Sequence, residues 1–166
     1  MPRVTYRVLL DAPLEAVWAF FEDVERGLSA LTPPARRLRL VKVEPPRVGA
    51  EMVVAMRAPP LSWVGRETRW TARYVEHRPP HGLPPGRRAW FVDEQVRGPF
   101  ARWRHAHRFE EIMDAGRTKV WAIDELDYAV PLGPLGVVAN KLVVRRMLDD
   151  TFAFRHRVMR ERLCRR

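Results

Sequence analysis

A chain of 166 residues with 46% hydrophobic and 30% charged residues is long enough to bury a core, and its composition excludes a disordered or fibrous polypeptide. No apolar run approaches the roughly 20 residues of a membrane-spanning helix, and a lone Cys164 leaves no internal disulfide and no thiolate zinc cluster. The net charge of +10 rests on 27 Arg and 3 Lys, but no zinc-finger, basic-zipper or glycine-rich phosphate motif accompanies it, so nucleic acid is not an expected partner. The start Pro2-Arg3-Val4-Thr5-Tyr6 has no signal-peptide core, from which a cytoplasmic address is expected.

In chain order, residues 3–10 alternate as a first strand. Pro13 and Glu15 suit a first helical turn, and Leu14, Val17, Phe21 and Val24 recur on one face of a helix ending near Gly27. A short second helix or turn follows over 28–32, stopped by Pro33-Pro34. Strands are predicted at 37–44, 50–57, 62–76, 88–97, 102–113 and 118–129, with the Pro- and Gly-rich stretch 78–86 as an exposed loop. From about Gly136 to Leu163 one long helix is expected, with Val144, Leu148, Phe152, Met159 and Leu163 as its apolar stripe. The order predicts an α+β domain spanning 1–166: about seven antiparallel strands in a curved sheet, wrapped on the long C-terminal helix, with two short helices after the first strand. A bent sheet cannot close fully on one straight helix, so a ligand cavity is expected between them.

The strand 102–113 puts Trp103, His105, His107 and Phe109 on one face and Arg102, Arg104, Arg108 and Glu110 on the other. The arginine face must be wet, so the Trp-His-His-Phe face points inward. A turn at Gly98-Pro99-Phe100 predicts pairing of positions that sum to 200, which sets Gln95 opposite His105 and Asp93 opposite His107. The two-residue turn Ala115-Gly116 predicts sums of 231, which sets Asp124 opposite His107 and Tyr128 opposite Trp103. The expected site is an Asp93–His107–Asp124 row in an aromatic pocket with Trp70, Tyr74 and Phe91, closed by Leu148 and Phe152. A carboxylate beside an imidazole fixes its tautomer, as an oriented donor or a general base requires. It also suits a satisfied core network. Helical His spacing and Cys ligands are both missing, so neither metal nor cofactor is expected.

The stretch Ala12-Pro13-Leu14-Glu15-Ala16-Val17-Trp18-Ala19-Phe20-Phe21 resembles the opening of the SRPBCC superfamily, which holds START, polyketide cyclase/dehydrase-like and birch-pollen-allergen-like domains. Phe91 to Phe100, followed by Trp103, His105, His107 and Phe109, then Asp124 to Tyr128 and Pro131-Leu132-Gly133-Pro134-Leu135-Gly136, resembles a bacterial branch of it. The resemblance implies a helix-grip fold with a hydrophobic cavity under the long helix. It leaves three readings. The first is binding or transport of a hydrophobic or aromatic small molecule or lipid by a monomer or homodimer, which the reading favours over catalysis. The second is a cyclase or dehydratase using His107 with Asp93 and Asp124. The third is a binder of RNA or an acidic surface through its arginine face.

Overall fold

The computed structural model describes residues 3–57, 67–131 and 143–164. Seven strands form one antiparallel sheet: β1 (Arg3–Leu10), β2 (Arg39–Val43), β3 (Glu51–Met56), β4 (Thr68–His81), β5 (Arg88–Arg97), β6 (Arg102–Asp114) and β7 (Arg117–Ala129). Their spatial order is β1-β7-β6-β5-β4-β3-β2, so consecutive strands are neighbours except where β1 crosses over to join β7. Helices α1 (Leu14–Glu22) and α2 (Val24–Leu31) follow β1, and α3 (Arg145–Leu163) closes the chain. The whole is the expected α+β helix-grip arrangement. No helix among the described residues is long and apolar enough to cross a membrane.

Two short helices follow β1 as expected, but the boundary between them falls at Asp23 and not near Gly27. Asp23 ends α1 with a non-helical backbone and caps α2, its side chain accepting from the Arg26 N–H at 3.1 Å. Gly27 does not terminate a helix. It permits a close approach, since a Cβ there would stand 2.7 Å from the Phe20 carbonyl oxygen. The boundary between strand and loop in 62–86 also shifts. β4 runs to His81, through Pro79 and Pro80, which the sequence assigned to a loop. The prolines are tolerated because β3 pairs no further along β4 than Arg73, leaving the far half of β4 bonded to β5 alone, with a register shift between Arg78 and His81. Residues 62–66 of the expected strand and 136–142 of the expected helix lie outside the described residues.

Alternation sorts the faces. Along β6, Trp103, His105, His107, Phe109 and Glu111 are buried, while Arg102 and Arg108 are exposed. On the outer face Arg104 meets Glu76 at 2.7 Å, Arg108 meets Glu125 at 2.9 Å and Arg102 meets Asp127 at 3.7 Å. Much of this arginine is therefore matched by cross-strand carboxylates. Such half-wet pairs contribute about 0–1 kcal/mol each. Arg108→Gln is expected to lower the stability measured by urea unfolding by no more than that, and a loss of several kcal/mol would show that the outer face is not the wet one.

On the inner side, α3 contributes Leu148 at 3%, Phe152 at 2% and Met159 at 0% exposure, the stripe its spacing predicts. Two apolar clusters result. One gathers Trp18, Phe21, Phe91, Phe109 and Met159 under α1, and the other gathers Trp103, Leu126, Tyr128, Leu148 and Phe152.

Candidate functional site

Among the described residues the buried polar side chains are His105, His107, Glu111 and Asp124. Glu111 is structural: Arg87 bridges it to Glu15, tying β6 to the start of α1. The other three, with Asp93, form one group at the seam of the two apolar clusters.

Strand periodicity assembles it. His105 and His107 are two residues apart on the inward face of β6, and their rings lie 3.8 Å apart between centroids. Asp124 comes from β7, directly opposite His107. The His105 Nε2–H donates to Asp124 Oδ1 at 2.9 Å, and His107 Nδ1 lies 2.8 Å from that oxygen, off the line a hydrogen bond needs. From β5, Asp93 Oδ2 stands 3.6 Å from His107 Nε2 and 4.0 Å from His105 Nδ1. The Arg155 guanidinium of α3 reaches 3.7 Å from Asp124 Oδ1 and lies over the Phe152 ring. Aromatic rings seal the sides: Phe91 stacks on His107 at 4.2 Å, with Phe21 at 5.7 Å, and Trp103 and Phe152 flank His105.

Burial opposes every charge in this group, and the partners decide which survive. For Asp124, Arg155 and the two imidazoles outweigh burial and hold the carboxyl well below the usual carboxylate range. For His107, Asp124 and then Asp93 outweigh burial, so its proton is held more tightly than in an ordinary histidine, even against Arg155. His105 goes the other way: burial first, then the charge on His107, push it down to about 4. At neutral pH the group therefore holds an ionised Asp124 and a neutral His105, and it favours the charge on His107 more than water does. With Asp124 ionised and acceptor-only, His105 carries its proton on Nε2.

The register across β5 and β6 differs from the expected one. Pairs sum to 198, so Asp93 faces His105 and Phe91 faces His107. Gln95, expected opposite His105, pairs instead with Ala72 of β4, and its amide donates to the Phe100 carbonyl at 2.7 Å and accepts from the Phe100 N–H at 3.3 Å. Gly98 leaves room for this amide, since a Cβ there would lie 2.3 Å from Gln95 Oε1 and displace it from the turn. The β6–β7 register holds as expected, with His107 on Asp124 and Trp103 on Tyr128.

The profile of the polyketide cyclase / dehydrase and lipid transport family matches residues 10–154. The chain belongs to that family. This is the SRPBCC superfamily that its opening and its His-x-His strand resemble. None of the curated proteins matches it. Among solved structures, a protein from Thermus thermophilus is similar at a TM-score of 0.58 and 18% identity, covering 97% of this chain and 99% of that one. Norcoclaurine synthase from Thalictrum flavum, in complex with dopamine and hydroxybenzaldehyde, is similar at 0.60 and 12% identity, covering 99% and 89%. The Zhui aromatase/cyclase from a Streptomyces species is similar at 0.50 and 16% identity, covering 96% and 94%. These likenesses establish the shared helix-grip fold.

In this family member the residues expected in the site fall into three sets. His105, His107, Asp93 and Asp124 come together with Phe91 and Phe152. Trp70, Trp103 and Tyr128 join Phe100 in an aromatic group at one end, with Leu148 packed against it, and Tyr74 contacts Phe91 at the other. Gln95 is spent on the turn. Arg155 was missed, although its signal was present: positions 148, 152, 155 and 159 follow spacings of four, three and four, which put it in the buried stripe.

Proposed function

We propose that this protein binds a hydrophobic or aromatic small molecule that carries one polar head, held between the sheet and α3 with the head at the Asp93–His107 side of the buried group. The observation that carries this is a charged, hydrogen-bonding cluster set among aromatic rings. A core needs apolar side chains there, whereas a ligand site needs a few convergent polar groups in an apolar wall. Asp93 keeps 14% of its side-chain surface exposed, so it is the member that a ligand reaches first. The family description, polyketide cyclase / dehydrase and lipid transport, covers ligands of this kind, and dopamine and hydroxybenzaldehyde in norcoclaurine synthase are small aromatics with polar groups.

Organic extraction of the purified protein followed by mass spectrometry tests the reading, with titration of candidate ligands followed by tryptophan fluorescence. His107→Phe is expected to keep the fold and to weaken ligands with a polar head about tenfold or more, the scale of one lost charge-assisted hydrogen bond. Purely apolar ligands should bind as before. Equal losses for both classes, or no saturable binding of either, would defeat the proposal.

The carboxylates on both sides of His107, which favour its protonated form, support a second reading, a cyclase or dehydratase in which His107 donates a proton while Asp124 and Asp93 orient it. Recovery of a bound compound in chemically altered form, dependent on His107, distinguishes catalysis from carriage.

A further inference from the structure

The buried group has a geometry that ligand binding does not require. His105 Nδ1 and His107 Nε2 both face a single oxygen, Asp93 Oδ2, at 4.0 and 3.6 Å. One donor atom from each of the three residues lies within 4.8 Å of the other two. On the far side, His105 Nε2 and His107 Nδ1 both face Asp124 Oδ1, at 2.9 and 2.8 Å. Each imidazole thus faces one acid with one nitrogen and turns the other toward a common point beside a second acid.

We propose that Asp93, His105 and His107 form a binding site for one divalent first-row transition metal ion, with Asp124 as the outer carboxylate that orients both imidazoles. Two imidazoles and one carboxylate are a donor set that suits zinc and non-haem iron(II), with the remaining coordination positions left to water or a ligand. The spacing fits. Metal–nitrogen and metal–oxygen bonds of about 2.0–2.2 Å place tetrahedral donors roughly 3.4 Å apart. The separations involving Asp93, 3.6 and 4.0 Å, exceed that by tenths of an ångström, and the two imidazole donors lie within 4.8 Å of each other, so the three close on one ion by side-chain rotation. The second shell is in place for His105, whose Nε2–H donates to Asp124, as metal-bound histidines characteristically give their other N–H to a carboxylate; His107 Nδ1, 2.8 Å from the same oxygen, needs only a turn of its ring to do the same. Arg155, 3.7 Å from Asp124, stays paired with that outer carboxylate and does not face the three donors. The absence of helical His spacing, which argued against a metal in the sequence, does not apply: alternate residues on a strand share a face, and the neighbouring strand supplies the third donor.

The test is a titration of chelator-treated protein with Co(II), followed by visible absorption, with Zn(II) then added as a competitor. One equivalent of Co(II) is expected to give a saturable visible band that Zn(II) removes. His105→Gln, His107→Gln and Asp93→Asn should each abolish the band, whereas His77→Gln and His81→Gln should leave it intact. Asp124→Asn should keep the band but weaken binding by roughly 10- to 100-fold, the scale of a lost second-shell partner. Near-UV circular dichroism checks that each variant is folded. If any buried-site variant is not, Asp93→Asn at the part-exposed position decides the matter. Absence of a one-equivalent band in the wild type overturns the proposal, as does a band that survives Asp93→Asn. The proposal stands apart from the small-molecule reading: binding of a polar-headed ligand by metal-free protein would leave that reading intact while the Co(II) titration fails.

Discussion

Phe152→Ala is expected to lower the stability of the fold by about 3–5 kcal/mol, the range for truncating a buried aromatic. Phe152 is the central contact between α3 and the sheet. Its ring stacks on Tyr6 of β1 at 4.2 Å with a 4° interplanar angle, faces His105 at 5.7 Å and lies under the Arg155 guanidinium. The Tyr6 hydroxyl donates to Asp149 Oδ1 at 2.6 Å, fixing the helix against the same strand one turn earlier. Truncation would remove the ring, leave a cavity that these fixed neighbours cannot fill, and loosen the side of α3 that carries Arg155. Leu148→Ala, one turn back, should cost about 2–5 kcal/mol for the same reason. Urea unfolding followed by circular dichroism measures both. A change below about 1 kcal/mol at either position would mean that α3 does not hold the sheet through this stripe.

The fold was legible because its signals are local and repeated. Alternation in β6 and helical spacing in α3 each name a buried face without any knowledge of the partner. The β6–β7 register was legible too, because a two-residue turn leaves the strands little choice. Ala115 and Gly116 both adopt positive φ, 47° and 73°, as such a tight hairpin turn demands. The β5–β6 register was not, because a side chain sets that turn. Gln95 folds over it and binds the Phe100 backbone, so regular pairing stops at Glu94 and Arg104, and the partners slip by two residues. A slip of two preserves the face. Asp93 therefore still reaches His107, now as a diagonal neighbour at 3.6 Å, while facing His105 directly. The expected row across three strands is thus a square of two acids and two histidines. That His105 faces inward and that Arg155 lies in the helical stripe are local signals; that both meet Asp124 depends on cross-strand and helix–sheet contacts that no single segment encodes.

Asp124→Asn is the other substitution with a large expected cost, about 3–5 kcal/mol, since removing one member of a buried ionic group leaves the others uncompensated. The carboxylate faces His105, His107 and Arg155 at once, and an amide of the same shape isolates the effect of charge from that of packing. The pH dependence carries the sharper signature. In the metal-free wild type, His105 stays neutral down to about pH 4 in the folded state. Between pH 4 and the unfolded value of roughly 6.5, the unfolded chain thus binds the extra proton and stability rises with pH. The folded-state pKa of His107 is raised, so its contribution is fully present below about 6.5 and is lost as pH climbs through the raised value. Asp124 itself is depressed, so its contribution is present above about 3.9 and is lost only as pH falls through its low folded value. Together these give a stability maximum near the ordinary histidine pKa. In Asp124→Asn the largest support for the His107 charge is gone and burial governs both rings. The fall above pH 6.5 should vanish and the slope below it should steepen, because two histidines now resist protonation on folding instead of one. Melting temperatures from pH 4 to 9 measure this directly, and profiles that merely run parallel would show that Asp124 does not set the charge of His107.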